Sequence, residues 1–236
     1  MRAATNRGRA ARAAPRPRRS PWYRAITKLG LRGVALCTHV DGVDLDDSRF
    51  APVFAAAENL GVPAFLHPQN AGDIRRIDRF PARNHDHGHP ADRPGLFERH
   101  PVPNVVLAHG GGYLPYQLGR LDRAYKVRPA EFNDLPKPPS SYLHSIYCDS
   151  LTHDQQALRF LLDRIGIDHV VLGTDYPFGS RCDHPVEAVE ALGLPPAQQA
   201  DGARRHAVAT AQALRRAGDL QPSDPIWLAF VPVRAI

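Results

Sequence analysis

From Ile26 onward the chain alternates short, continuous apolar runs with stretches of helical period. Five runs read as strands: Gly33–Thr38, Val62–Leu66, Asn104–Ala108, Ser145–Cys148 and His169–Gly173. Helices are predicted over Phe50–Glu58, about Leu114–Tyr125 and about Asp154–Ile165, with Ala-rich helical segments filling roughly 185–217. Within the strand runs apolar and polar residues do not alternate. That is the pattern of a parallel sheet covered by helices, because neither face of the strand meets water. Repeated strand–helix units mean an α/β fold. The rhythm breaks between the second and third strands. Phe80 to Gly95 holds three prolines and two glycines with no helical period, so the usual crossover helix is predicted to be missing or badly shortened.

Composition changes this picture at the ends of the chain. The net charge of +6 suggests a nucleic-acid partner until it is located. Residues 1–24 contain eight arginines and no acidic residue. They exceed the total by two, so the rest of the chain carries −2. The basic charge is therefore assigned to a disordered tail over 1–24, an unstructured extension or else a transit peptide, and no nucleic-acid partner is expected. Residues 25–217 are expected to form the folded domain. Residues 218–236, with Pro222, Pro225 and Pro232, are expected to form an irregular extension. Cys37, Cys148 and Cys182 make no CxxC pair, and two of them lie in apolar runs. They read as reduced thiols of a cytoplasmic protein. No apolar stretch approaches the ~18 residues of a membrane span, so no membrane partner is expected.

The strand runs lead into residues that can do chemistry. His39 follows the first, His67 the second, His109 the third, Asp149 and Ser150 the fourth, and Asp175 the fifth. In parallel α/β barrels the reactive groups project from the C-terminal strand ends. One such histidine means little; two histidines and an aspartate in equivalent places form a ligand-like set. Imidazole nitrogen with carboxylate oxygen suits Zn²⁺ or a similar divalent ion. Gly110-Gly111-Gly112 does not read as a phosphate cradle, since no Gly-Lys-Ser/Thr follows.

Four motifs narrow the reading. They are His67-Pro68, the run Ala108-His109-Gly110-Gly111-Gly112 continuing to Asp122, Tyr147-Cys148-Asp149-Ser150, and Leu172-Gly173-Thr174-Asp175-Tyr176-Pro177-Phe178. In this order they resemble the aminocarboxymuconate semialdehyde decarboxylase branch of the amidohydrolase superfamily, over about residues 26–195. The resemblance implies a metal-dependent (β/α)8 barrel and a carboxy-lyase acting on a small unsaturated or aromatic carboxylate. It implies His67 and Asp175 as metal ligands, with zinc the expected divalent ion, and His109 as the catalytic acid/base. It also implies that Arg128 contacts the substrate carboxylate, typically of a neighbouring subunit, and hence a homodimer. Arg120 matches a family arginine whose role stays open. These roles make chemical sense. A divalent ion lowers the pKa of bound water, a histidine near neutrality moves the proton, and an arginine offers a planar fork to a carboxylate.

The pattern also departs from the family. The first strand of the family barrel ends in an His-x-His ligand pair, and no apolar run here does so. The His-x-His occurrences, His85-Asp86-His87 and His87-Gly88-His89, fall in the segment without helical period. An incomplete barrel lacking roughly the first three strand–helix units is therefore expected. Two readings compete with decarboxylation. One is hydrolysis or hydration at the same metal site; the other is a catalytically inactive remnant.

Overall fold

The computed structural model describes residues 21–29, 33–45, 47–68, 96–100, 105–132 and 135–194. The chain divides into two units, residues 1–31 and 32–236. In the first, Pro21–Leu29 forms helix α1. Proline at the first helical position sacrifices no hydrogen bond, and Lys28 in the last turn faces the negative end of the helix dipole. This helix starts inside the stretch to residue 24 that composition assigns to a disordered tail, so the helical residues begin at 21. Residues 1–20 lie outside the described residues.

The second unit opens with strand β1 (Val34–Cys37), followed by a small antiparallel hairpin of β2 (His39–Val40) and β3 (Val43–Asp44). Helix α2 (Ala51–Leu60) leads to β4 (Ala64–His67). A one-turn helix, α3 (Leu96–Arg99), precedes β5 (Val105–Leu107) and α4 (Leu114–Val127). Then come β6 (Ile146–Asp149), α5 (Gln155–Ile165), β7 (Val170–Val171) and α6 (Pro185–Glu190). Strands β1, β4, β5, β6 and β7 make one parallel sheet in that order. Each new strand joins the same side. A doubly wound sheet would reverse direction at a switch point; a barrel adds strands around one arc. The five strands form such an arc, as the α/β-barrel expectation requires.

The core is the strand run itself. Leu66, Val105, Leu107, Ile146, Cys148 and Val170 are each 1 % exposed or less. Burying a large aliphatic side chain stabilises the fold by about 1.5–3 kcal/mol. The helices bury residues three or four apart: Phe54 and Ala57 in α2, Leu114 and Leu118 in α4, Leu158 and Leu161 in α5, Val186 and Val189 in α6. That spacing gives one apolar stripe per helix. Asp154 caps α5, its Oδ1 accepting the Ala157 N–H at 2.7 Å. Glu98 of α3 accepts the buried Tyr142 hydroxyl at 2.7 Å. Burial and the Glu98 carboxylate together push that phenol well above its ordinary pKa.

Two expectations change. The fifth strand is Val170–Val171 rather than His169–Gly173. After Val171 the ladder passes to Ser150, whose N–H donates to the Val171 carbonyl at 2.8 Å and whose hydroxyl accepts the Gly173 N–H at 3.2 Å. The helix expected from 185 ends at Glu190. The remainder of that segment, from 195, lies outside the described residues, as do the Phe80–Gly95 loop and the extension from 218.

Candidate active site

Strand register brings the candidate residues to one end of the sheet. Cys37 pairs with His67, Leu66 with Leu107, Leu107 with Cys148 and Asp149 with Val171. His67 is the last residue of β4. His109 opens a 3-10 turn over His109–Gly111, directly after β5. Asp175 lies four residues beyond β7 rather than at its end. His109 and Asp175 both have φ +57°. The left-handed region costs a non-glycine residue about 1–3 kcal/mol and survives only where the surroundings enforce it. Gly111, at φ +77°, must be glycine for a second reason: a Cβ there would lie 2.5 Å from the Cys148 sulfur.

The three side chains meet. His67 Nε2 lies 2.9 Å from Asp175 Oδ1, and His109 Nε2 lies 3.4 Å from the same oxygen. The two imidazoles stand edge to face with centroids 4.9 Å apart. Ser180 donates its hydroxyl to Asp175 Oδ2 at 2.6 Å. Phe178 stacks on the His67 ring at 5.2 Å and 13°. Burial alone would raise the Asp175 pKa, but the hydrogen bonds from Ser180 and His67 and the neighbouring His109 outweigh it. The carboxyl is therefore held below its usual range. His109 Nε2 is buried and has no hydrogen-bond partner among the described residues.

Beneath this cluster sits Asp149, 2 % exposed. Its Oδ1 accepts the main-chain N–H groups of Gly110 at 2.8 Å and Leu151 at 3.1 Å. Burial pushes its carboxyl upward. The Gly110 N–H, the His109 ring, and the His109 and Leu151 amides oppose that rise only in part. Above the cluster a cleft of about 840 Å³ opens, its floor formed by His67, His109 and Asp175. Leu151, Leu161 and Pro115 line it, with Tyr113, Tyr116, Phe160 and Phe178 towards solvent.

The other strand-end candidates separate from this group. His39 joins the β2–β3 hairpin, its Nδ1 accepting the Gly42 N–H at 3.3 Å, and it is not part of the three-residue cluster. Arg128 caps the C-terminal end of α4 and is exposed. The 14 residues of α4 span about 21 Å, and Arg128 does not line the cleft that begins at the other end of that helix. Arg120 is exposed on α4. His85, His87 and His89 lie outside the described residues. Ser180 was not a sequence candidate. Its only sequence signal is its place five residues after Asp175, in a turn whose shape the sequence does not state.

One nitrogen from each histidine and one aspartate oxygen lie within 4.8 Å of one another. The nitrogen and carboxylate-oxygen donors of His67 and Asp175 fit a divalent cation, and the His109 ring stands beside them.

The amidohydrolase family model matches residues 23–215, most of the chain. The chain belongs to the amidohydrolase family. Among curated amidohydrolase relatives, it is 37 % identical over 169 residues to 2-amino-3-carboxymuconate-6-semialdehyde decarboxylase of Dictyostelium discoideum, covering 66 % of this chain and 46 % of that protein. It is 28 % identical over 181 residues to the gamma-resorcylate decarboxylase of a Rhizobium strain, covering 69 % and 54 %. The chain thus spans about half the length of the curated relatives it matches. A solved 2,6-dihydroxybenzoate decarboxylase, complexed with 2,6-dihydroxybenzoate, superposes with TM-score 0.58 at 25 % identity, covering 78 % of this chain and 64 % of that one. The manganese-containing 5-carboxyvanillate decarboxylase of Novosphingobium aromaticivorans shares the fold, with TM-score 0.61 at 23 % identity over 75 % of this chain and 55 % of that one.

Proposed function

We propose that the protein is a metal-dependent decarboxylase of small unsaturated or aromatic carboxylates. The observation that carries this reading is the convergence of His67, His109 and Asp175, one donor atom of each within 4.8 Å of the others, at the floor of a mostly apolar cleft. His67 and Asp175 would hold a divalent ion, which supplies Lewis-acid polarisation of a substrate oxygen when bound. Zinc suits the nitrogen and oxygen donors, and manganese is the ion in solved family members. Elemental analysis of the purified protein identifies it.

In decarboxylation a C–C bond to the carboxylate breaks, and the carbon left behind takes a proton in place of CO₂. His109 is the proton donor in this reading. His109 lines the cleft, and an imidazole can both give and take up a proton. The apolar walls exclude water and favour a planar, weakly hydrated substrate ring. Phe178 holds the His67 imidazole by stacking, and Ser180 fixes the second oxygen of Asp175. Arg128, at the far end of α4, serves the carboxylate of a substrate in a neighbouring subunit, so the active form is a homodimer. Every catalytic residue of this reading lies in the second unit, residues 32–236. The buried free thiol of Cys148 supports a reducing, cytoplasmic location. No helix among the described residues is long and apolar enough to cross a membrane.

The test is CO₂ release by protein loaded with Mn²⁺ or Zn²⁺, using 2-amino-3-carboxymuconate 6-semialdehyde and 2,6-dihydroxybenzoate as substrates. His109→Ala should lower the rate roughly 10²–10⁴-fold. Substrate loss without CO₂ would replace this reading with hydrolysis or hydration. No turnover and no bound metal would leave a non-catalytic protein.

A further inference from the structure

We propose that Asp149 is a positioning residue for His109, holding the turn that carries the histidine through the main-chain N–H of Gly110. Asp149 touches neither the cleft nor a substrate position, since it does not line the cleft. It sits at the end of β6, next to the strand that delivers His109. The inference rests on His109 being the proton donor of the proposed decarboxylase.

The argument starts from the backbone. His109 at φ +57° and Gly110 at φ +63° form two successive left-handed residues. Such a pair is held only where its surroundings enforce it. Asp149 Oδ1 accepts the Gly110 N–H at 2.8 Å and so ties this turn to β6. The same oxygen takes the Leu151 N–H at 3.1 Å, which ties the side chain to its own backbone. The carboxylate therefore cannot follow the turn if the turn relaxes. Without it, His109 would be free to return to an ordinary φ, and its ring would swing from the position 3.4 Å from Asp175.

The opposite side is built to leave room. A Cβ on Gly173 would lie 2.6 Å from Asp149 Cβ, 2.8 Å from Cγ and 2.9 Å from Oδ2. The carboxyl is wedged between the His109 turn and the exit of β7. Packing alone would be served by an apolar residue of similar size, such as leucine. A buried acid is tolerated because main-chain donors replace its lost hydration. The acceptor oxygen is then the functional part, and asparagine should preserve it.

The test uses full-length parent, Asp149→Ala, Asp149→Asn and Gly173→Ala proteins. NMR-detected hydrogen exchange at the Gly110 amide is read beside kcat and KM for 2-amino-3-carboxymuconate 6-semialdehyde. Asp149→Ala should accelerate Gly110 exchange by on the order of 10²-fold and lower kcat by about 10–100-fold, with KM changed less than about threefold. Asp149→Asn should return both readings to within about tenfold of the parent. If Asp149→Ala does not fold, Gly173→Ala carries the test: crowding the carboxyl should expose Gly110 while the acid is still present. Parent-like Gly110 exchange in Asp149→Ala or Gly173→Ala overturns the proposal, as does failure of asparagine to restore protection. A parent protein that releases no CO₂ overturns the decarboxylase reading. In that case the exchange data, together with the ring resonances of His109, still decide whether Asp149 holds the turn.

Discussion

Asp175 joins three side chains: His67 and His109 approach one oxygen, and Ser180 donates to the other. Its pKa is therefore lower in the folded chain than the ~3.9 of an unfolded aspartate. In acid the unfolded state then binds more protons at this position. The stabilisation is complete above about pH 4 and is lost as pH falls through the folded pKa. Urea unfolding of metal-free protein should show Asp175→Asn losing less stability than the parent between about pH 5 and pH 2. Ser180→Ala should leave the fold intact but weaken divalent-metal affinity by about 10–100-fold, the usual effect of losing a group that orients a ligand. Equilibrium dialysis checks this. Unchanged affinity would remove Ser180 from the site.

At the scale of elements, the site depends on a few local devices that keep short strands and helices in place. The Asp154 cap on α5 is one. Asp154→Ala should cost about 1 kcal/mol, seen as a lower thermal midpoint with unchanged metal binding. Leu118, fully buried in α4, is another. Leu118→Ala should cost about 2–5 kcal/mol, because it leaves a cavity under the helix that follows the His109 turn. Denaturant titration separates the two by size. A Leu118 variant that loses less than the Asp154 variant would show that α4 does not pack as described.

At the scale of the whole molecule, the proposed dimer makes a stronger claim than any single contact. Arg128→Ala should weaken substrate binding by about 1.5–3 kcal/mol, the range for a hydrogen bond to a charged group. Mixing Arg128→Ala and His109→Ala proteins, with subunit exchange confirmed, should restore activity that neither has alone, because one hybrid site keeps both residues. No recovery would confine Arg128 to its own subunit or remove it from the reaction. Deleting residues 1–20 should leave the thermal midpoint of the domain within about 1 °C, since their sequence offers no periodic apolar face to bury. A large drop would show that the basic segment packs.

The sequence by itself determined the parallel α/β character, because strands buried on both faces must be continuously apolar, and Val105–Leu107 is buried throughout. It also marked His67, His109 and Asp175 as candidates, through their places after apolar runs together with the motifs that resemble the amidohydrolase branch. The tertiary structure decided what such runs cannot encode. Whether His67 and Asp175, 108 positions apart, come within 2.9 Å depends on strand register and on where β7 leaves the ladder. Beyond Val171 the Gly173 N–H turns to the Ser150 hydroxyl, a contact between strands with no local sequence signal. The left-handed backbone at His109 and Asp175 was equally hidden, because neither residue type requires it. At His109 the Asp149 acceptor and the glycines that follow hold that conformation.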